Sequence, residues 1–108
     1  MEILNSVEHI NSFIKENKIC IVYFSSNRCG VCINLLPKID EILKSYPMIK
    51  GGKIDIDKVQ EAIGSFSVHT LPCILLFIDG KEIIREARFI SIIELKEKIK
   101  RYYELLEE

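Results

Sequence analysis

The sequence predicts an α/β domain of three layers (α/β/α), in which helices cover both faces of a central mixed sheet. Apolar residues alternate along the chain between strand-like and helix-like spacing, in the order β-α-β-α-β-α-β-β-α. One near-continuous apolar run, residues 19–25, has the pattern of a strand that is buried on both faces. Because 108 residues are enough for one hydrophobic core, we predict a single domain spanning residues 1–108.

The first half of the chain contains two predicted strands, each followed by a helix. Residues 2–4 form a short strand, and Asn5 or Ser6 caps the helix that follows it. After the buried strand, a helical pattern runs over residues 33–46. Pro37 lies inside this pattern, so we expect a kink in the second helix.

The second half contains three predicted strands and two predicted helices. Residues 48–56 form a strand, and Asp57 is predicted to cap a short helix after it. Residues 73–78 and 82–87 pair as a hairpin around an Asp-Gly turn. Ser91 caps the last helix, whose apolar stripe continues almost to the end of the chain.

Composition and charge exclude several classes of function. The formal net charge is −1 and acidic and basic residues are interleaved, so we expect no binding to nucleic acid. No apolar run approaches the roughly 18 residues of a membrane span, and we expect no membrane association. The first residues lack the features of a secretory signal, which predicts a cytoplasmic protein. Cysteines in that compartment are catalytic, metal-binding or core residues more often than structural disulfides.

A Cys-Gly-Val-Cys motif stands between the buried strand and the second helix, at residues 29–32. Two thiols at this spacing can close a small disulfide ring, and the first lies where a helix N-terminus stabilises a thiolate. This arrangement suits thiol–disulfide exchange. Half of a metal site, or a relic without function, are the alternatives.

Several further segments occur in an order that resembles the thioredoxin family over nearly the whole chain. Pro37 stands five residues after Cys32, like the helix-kinking proline of that family. The segment Lys53-Ile54-Asp55-Ile56-Asp57 is similar to its third strand, and Thr70-Leu71-Pro72 to its cis-proline loop. Phe77-Ile78-Asp79-Gly80-Lys81 resembles its final hairpin. The resemblance implies the thioredoxin fold.

The resemblance also implies a role for each matching residue. Cys29 is expected to be the exposed nucleophile, and Cys32 the more buried thiol that resolves the mixed disulfide. Pro72 is expected to be cis, and the backbone of Leu71 to pair with an extended substrate segment. Lys53 is expected to be a partly buried cation near the dithiol. The substrate-contacting residues implied in this way are Arg28, Gly30, Val31, Leu71 and Pro72.

For function, the resemblance implies a thiol–disulfide oxidoreductase that reduces the disulfides of proteins. No bound cofactor is expected beyond the redox-active disulfide Cys29–Cys32 itself. Electrons are expected to come from a flavin- and NADPH-dependent reductase, and the protein is expected to be a monomer. The alternative is a redox-sensing or partner-binding module of the same fold with little general reductase activity.

The chain departs from the family pattern around the dithiol. Arg28 stands where the family carries tryptophan, and Tyr23 stands where it carries a buried aspartate. A phenol with a pKa near 10 is a poor base at neutral pH, so Tyr23 can modulate Cys32 only as a hydrogen-bond donor. Arg88 replaces a frequent glycine, and the two arginines indicate either an acidic partner or solvated surface charge.

Cys73 follows Pro72 directly and is a candidate third thiol at the site. One interpretation is an alternative disulfide or a metal ligand, and the other is a small buried residue on a central strand. His69 with Cys73, Cys29 and Cys32 has no spacing typical of a zinc site, and we predict no metal.

Overall fold

The computed structural model describes residues 1–107, so Glu108, the last residue of the predicted domain, lies outside the described part. The elements follow one another in the predicted order of strands and helices. Their bounds are β1 (Glu2–Ile3), α1 (Val7–Glu16), β2 (Ile19–Ser25), α2 (Gly30–Ser45), β3 (Ile49–Asp55), α3 (Glu61–Ser65), β4 (Cys73–Ile78), β5 (Lys81–Ala87) and α4 (Ile92–Glu107).

The five strands form one mixed sheet in the order β1-β3-β2-β4-β5. β3 runs parallel to β1 and β2, whereas β4 runs antiparallel to β2 and β5. β2 is therefore the central strand, with one parallel and one antiparallel neighbour. In this register Tyr23 lies between Lys53 on β3 and Ile74 on β4.

Alternate residues of β2 enter two hydrophobic cores, one on each face of the sheet. Cys20, Val22 and Phe24 pack on the face covered by α1 and α3. Ile19, Ile21 and Tyr23 pack on the face covered by α2 and α4. All six side chains are buried, which explains why this strand reads as an unbroken apolar run. The predicted three-layer architecture is confirmed.

Two adjacent glycines in β3 let the sheet approach its covering layers closely. A Cβ atom built on Gly52 lies 2.6 Å from Leu4 Cδ1 and 3.1 Å from Phe13 Cε2. A Cβ atom on Gly51 lies 2.5 Å from Leu43 Cδ1, on the opposite face. A larger residue at either position therefore pushes a layer away from the sheet.

The prediction for Asp57 was wrong in one respect. The short helix begins only at Glu61, and its N-cap residue is Gln60. The Asp57 carboxylate instead accepts hydrogen bonds from the hydroxyl of Ser26 and the guanidinium of Arg28. These donors lie far away in sequence, so a local capping pattern does not reveal them.

Among residues 1–107, no helix has the length and apolar character needed to cross a membrane.

Candidate active site

The two cysteines of the motif lie where β2 gives way to α2. Cys29 is the N-cap residue of α2, and its Sγ accepts a hydrogen bond from the N–H of Cys32 at 3.2 Å. The two residues are joined as a disulfide, with their Cα atoms 5.3 Å apart. Cys29 is half-buried, whereas Cys32 is 1% exposed. The N-terminus of α2 favours negative charge on the more accessible sulfur when the pair is reduced.

Tyr23 lies directly behind the dithiol and is fully buried. Its hydroxyl donates a 2.7 Å hydrogen bond to the carbonyl oxygen of Cys32, which fixes the first turn of α2 against β2. Burial raises the pKa of Tyr23 to about 12. The phenol therefore stays protonated at neutral pH and is a donor, not a base. Lys53 is its register partner on β3 and is half-buried.

The loop before β4 forms the second wall of the site. The Leu71–Pro72 peptide bond is cis, and Pro72 is buried. The N–H of Arg88 donates a 2.9 Å hydrogen bond to the carbonyl oxygen of Pro72, which ties the end of β5 to this loop. Leu71 packs against the apolar core that includes Cys32. Within residues 1–107 the N–H and C=O of Leu71 have no hydrogen-bond partner.

An exposed aromatic ring that the sequence pattern did not single out lies next to this loop. Phe89 is 87% exposed, and the guanidinium carbon of Arg88 stands 5.2 Å from the centre of its ring. Arg88 itself has φ +70°, a conformation that glycine adopts most readily. The sequence signal that could have identified Phe89 was an aromatic residue in a loop, outside the apolar positions of every predicted strand and helix.

A polar network occupies the surface beside Cys29. The guanidinium of Arg28 lies 2.9 Å from one carboxylate oxygen of Asp57, and the Ser26 hydroxyl donates to the other. These contacts hold the pKa of Asp57 below its ordinary value. Ser26, which sequence reasoning missed, is buried and also accepts a hydrogen bond from the backbone N–H of Arg28. The charge of Arg28 is thus directed to Asp57 and not to the thiol of Cys29.

This network predicts a pH dependence of stability. Because the folded protein holds the pKa of Asp57 below 3.8, the carboxylate stabilises the fold above that pH. The contribution disappears as the pH falls through the lowered pKa. We expect Asp57→Asn to lower the melting temperature near pH 6 and to have a shrinking effect below about pH 4.

The measurement is thermal unfolding of both proteins between pH 3 and 6. Asp79→Asn is the matched control, because within residues 1–106 the exposed Asp79 carboxylate makes no ion pair. A difference between the wild type and Asp57→Asn that is constant over this pH range contradicts the ion-pair explanation.

The structure does not bring Cys73 to the dithiol. Its side chain belongs to the core under α1 and α3, whereas Cys32 belongs to the core on the other face of the sheet. Cys73 is a buried free thiol, and burial raises its pKa. Cys20 is likewise buried and free, with its pKa raised to about 12. The arrangement agrees with the interpretation of Cys73 as a small core residue.

The residues considered for a zinc site are also not gathered at one point. His69 is exposed in the loop after α3, away from the buried Cys73. In the part of the chain that the structure describes, no three His, Cys, Asp or Glu side chains are grouped so that they could hold a metal ion. Within the described residues, the dithiol is thus the redox-active group at the junction of β2 and α2.

Comparison with known proteins gives the same family for sequence and structure. The family model described as Thioredoxin matches residues 2–101. Thioredoxin-like protein YdfQ of Bacillus subtilis is 46% identical over 104 residues, covering 96% of this chain and 93% of its own. Thioredoxin of Mycoplasmoides gallisepticum is 28% identical over 100 residues, covering 93% and 100%. The X-ray structure of Fasciola hepatica thioredoxin superposes with a TM-score of 0.86 at 32% identity, covering 94% and 98%.

Proposed function

The chain belongs to the thioredoxin family and is a thiol–disulfide oxidoreductase, and from this premise we propose that it reduces disulfides of partner proteins. Cys29 is the nucleophile and Cys32 the resolving thiol. The observation that carries this assignment is the difference in access, because Cys29 is half-buried at the N-terminus of α2 and Cys32 is enclosed. No bound cofactor is needed, since the dithiol itself carries the two electrons.

The proposed reaction has two exchange steps. The thiolate of Cys29 attacks one sulfur of the substrate disulfide, which breaks that bond and forms a mixed disulfide. The thiolate of Cys32 then attacks Cys29 Sγ, closing the disulfide of the protein and expelling the second substrate thiolate. The substrate gains two electrons and the protein loses two. The protons released by the two cysteines pass through solvent to the two substrate thiolates.

Two residues behind the dithiol are proposed to position and modulate it. The hydrogen bond from Tyr23 to the Cys32 carbonyl holds the resolving thiol at the start of α2. Because the phenol does not ionise at neutral pH, it adds no negative charge that would oppose a Cys32 thiolate. Lys53 is paired with Tyr23 on the neighbouring strand β3, and it places a positive charge beside Tyr23. Lys53 therefore favours the ionised form of Cys32, and Tyr23 does not oppose it.

The substrate is proposed to lie across the edge formed by the dithiol and the proline loop. The unpartnered backbone groups of Leu71 are suited to pair with an extended segment, beside the buried ring of Pro72. The surface at Gly30 is open, since a Cβ atom built there meets nothing within 4 Å, and Val31 offers a side chain that is 62% exposed. Arg28 also lies at this edge, and its guanidinium is paired with the carboxylate of Asp57.

Phe89 and Arg88 extend the proposed substrate edge. An exposed ring at this place supplies an aromatic contact surface in a chain that has no tryptophan, in addition to the exposed side chain of Val31. Since Arg28 is paired with Asp57, Arg88 is the arginine that remains for an acidic group of a partner. The substrate chemistry that this favours is an extended segment with an apolar and an acidic side chain.

Members of this family act on disulfide-containing proteins and are reduced by thioredoxin reductase. We propose the same partner class here, a flavin- and NADPH-dependent reductase, together with a single domain, a monomeric state and a cytoplasmic location. The buried free thiols of Cys20 and Cys73 fit a reducing compartment. A redox-sensing or partner-binding module with little general reductase activity is not favoured, since both thiols of the exchange reaction are present in disulfide range.

The proposed function is tested by a redox titration against glutathione or dithiothreitol buffers, with each cysteine scored by alkylation and mass spectrometry. We expect Cys29 and Cys32 to change state together near a potential of about −270 mV, and Cys20 and Cys73 to stay reduced. Turnover of insulin with dithiothreitol is expected in parallel. A markedly higher potential with no insulin turnover overturns the reductase assignment.

A further inference from the structure

A cavity of about 510 Å³ opens beside the dithiol, on the side away from the proline loop. Cys32 and Tyr23, both 1% exposed, belong to its lining, so it lies next to the resolving cysteine. Short side chains at the end of β2, those of Ser25, Ser26 and Asn27, leave the space open. Cavities of this volume accept small molecules. The substrate proposed above lies on the side of the proline loop and does not enter this space, although Tyr23, Cys32 and Lys53 belong to both sites.

The walls of the cavity are largely apolar. Ile3 and Ile33 line it although their side chains are 60% and 54% exposed. Leu36 and Val59 also contribute to the lining. Exposed isoleucines on two sides of one cavity are groups that a ligand with an apolar body covers favourably, at about 25 cal/mol for each Å² of apolar surface removed from water.

The charged groups of the cavity are unbalanced in favour of a negative ligand. Lys53 and Lys58 both line it, and within residues 1–106 neither makes an ion pair. Asp55, the one carboxylate of the lining, already accepts hydrogen bonds on both oxygens, from the N–H of Asp57 and the amide of Asn27. Two ammonium groups and one carboxylate therefore leave the lining with one excess positive charge.

We propose that this cavity is a binding site for a small molecule with an apolar, ring-sized body and one carboxylate. The body lies between Ile3, Ile33 and Val59, and the carboxylate is bound by Lys53 and Lys58. The site shares Lys53 with the proposed disulfide reduction, but binding of the ligand does not require that the reduction takes place.

The probe for this site is 2-naphthoate, with neutral 2-naphthamide as the matched ligand. We expect naphthoate to bind at least about tenfold more tightly than naphthamide, because only the carboxylate pairs with the two lysines. Binding is measured by calorimetry and by amide shifts in ¹⁵N-labelled protein. The largest shifts are expected at Ser25, Asn27, Lys58 and Val59.

Variants separate this site from non-specific binding. Lys58→Met is expected to abolish the preference for naphthoate over naphthamide. Lys50→Met is the matched control, an exposed lysine of β3 that does not line the cavity, and it is expected to leave the preference unchanged. Ser25→Trp places an indole in the cavity and is expected to remove binding of both ligands.

Equal affinity for the two ligands, or shifts confined to other surfaces, overturns the proposal. So does loss of the preference in Lys50→Met to the same extent as in Lys58→Met. Insulin reduction is measured on the same samples. Failure of binding with normal insulin reduction contradicts the cavity proposal alone, and normal binding without insulin reduction contradicts the proposed function alone.

Discussion

Replacing Cys29 by serine is expected to lower the rate of insulin reduction by roughly a hundredfold or more, to that of dithiothreitol alone. A hydroxyl at this position does not ionise at neutral pH, so the helix N-terminus that favours the Cys29 thiolate has no anion to stabilise. Cys32 is 1% exposed and cannot take over the attack on a protein disulfide. Among residues 1–107 no other thiol lies at this edge of the sheet, since Cys20 and Cys73 are buried in the core on the other face.

Replacing Cys32 by serine separates the two exchange steps. The first attack by Cys29 remains possible, so a mixed disulfide with the substrate is expected to accumulate and to be detected by mass spectrometry under non-reducing conditions. Cys73→Ser is the control, because this buried thiol lies on the other face of the sheet, and its insulin rate is expected to stay within about twofold of wild type. A Cys29→Ser protein with normal turnover, or a Cys73→Ser protein without turnover, contradicts the assignment.

Replacing Gly52 by valine is expected to lower the free energy of unfolding by about 2–3 kcal/mol. The new Cβ alone lies 2.6 Å from Leu4 Cδ1, and Leu4 and Phe13 are both buried and cannot swing into solvent. Chemical denaturation of the variant and the wild type gives the difference.

Gly64→Ala is the matched control for this substitution. Gly64 lies in α3, and a Cβ atom there meets nothing within 4 Å. We expect this variant to be slightly more stable than wild type, because alanine is the better helix former by up to about 1 kcal/mol. If the denaturant midpoint of Gly52→Val equals that of the wild type, the close approach of Leu4 to β3 does not require glycine at position 52.

The fold and the dithiol were predictable because their signals are local. Apolar spacing gave the order of elements. The starts of two helices were displaced, because α2 begins at Gly30 and not at residue 33, and α3 begins at Glu61 and not directly after Asp57. The Cys29–Cys32 pair and the Leu71–Pro72 loop were recognisable as contiguous motifs. In each case the residues that define the feature are neighbours in the sequence, so no knowledge of the tertiary structure was needed.

The parts that sequence reasoning missed depend on long-range contacts. Arg28 and Ser26 meet Asp57 about 30 positions along the chain, and no spacing rule connects them. Whether Cys73 faces the dithiol depends on which face of β4 it occupies, which is fixed by pairing with β2. The cavity beside Cys32 is made by residues from several separate segments, so it exists only after folding.

The central position of β2 has a consequence for local motion at the active site. This strand is hydrogen-bonded on both sides, and its residues Ile21, Val22 and Tyr23 are buried by 99% or more. Amide protons in such a strand exchange with solvent mainly when the whole protein unfolds. The dithiol begins four residues after the end of this strand, and Tyr23 ties the start of α2 back to it. The segment that carries the dithiol is therefore attached to a strand whose amide protons are expected to exchange slowly, and we expect its geometry to persist between redox cycles without a local folding step.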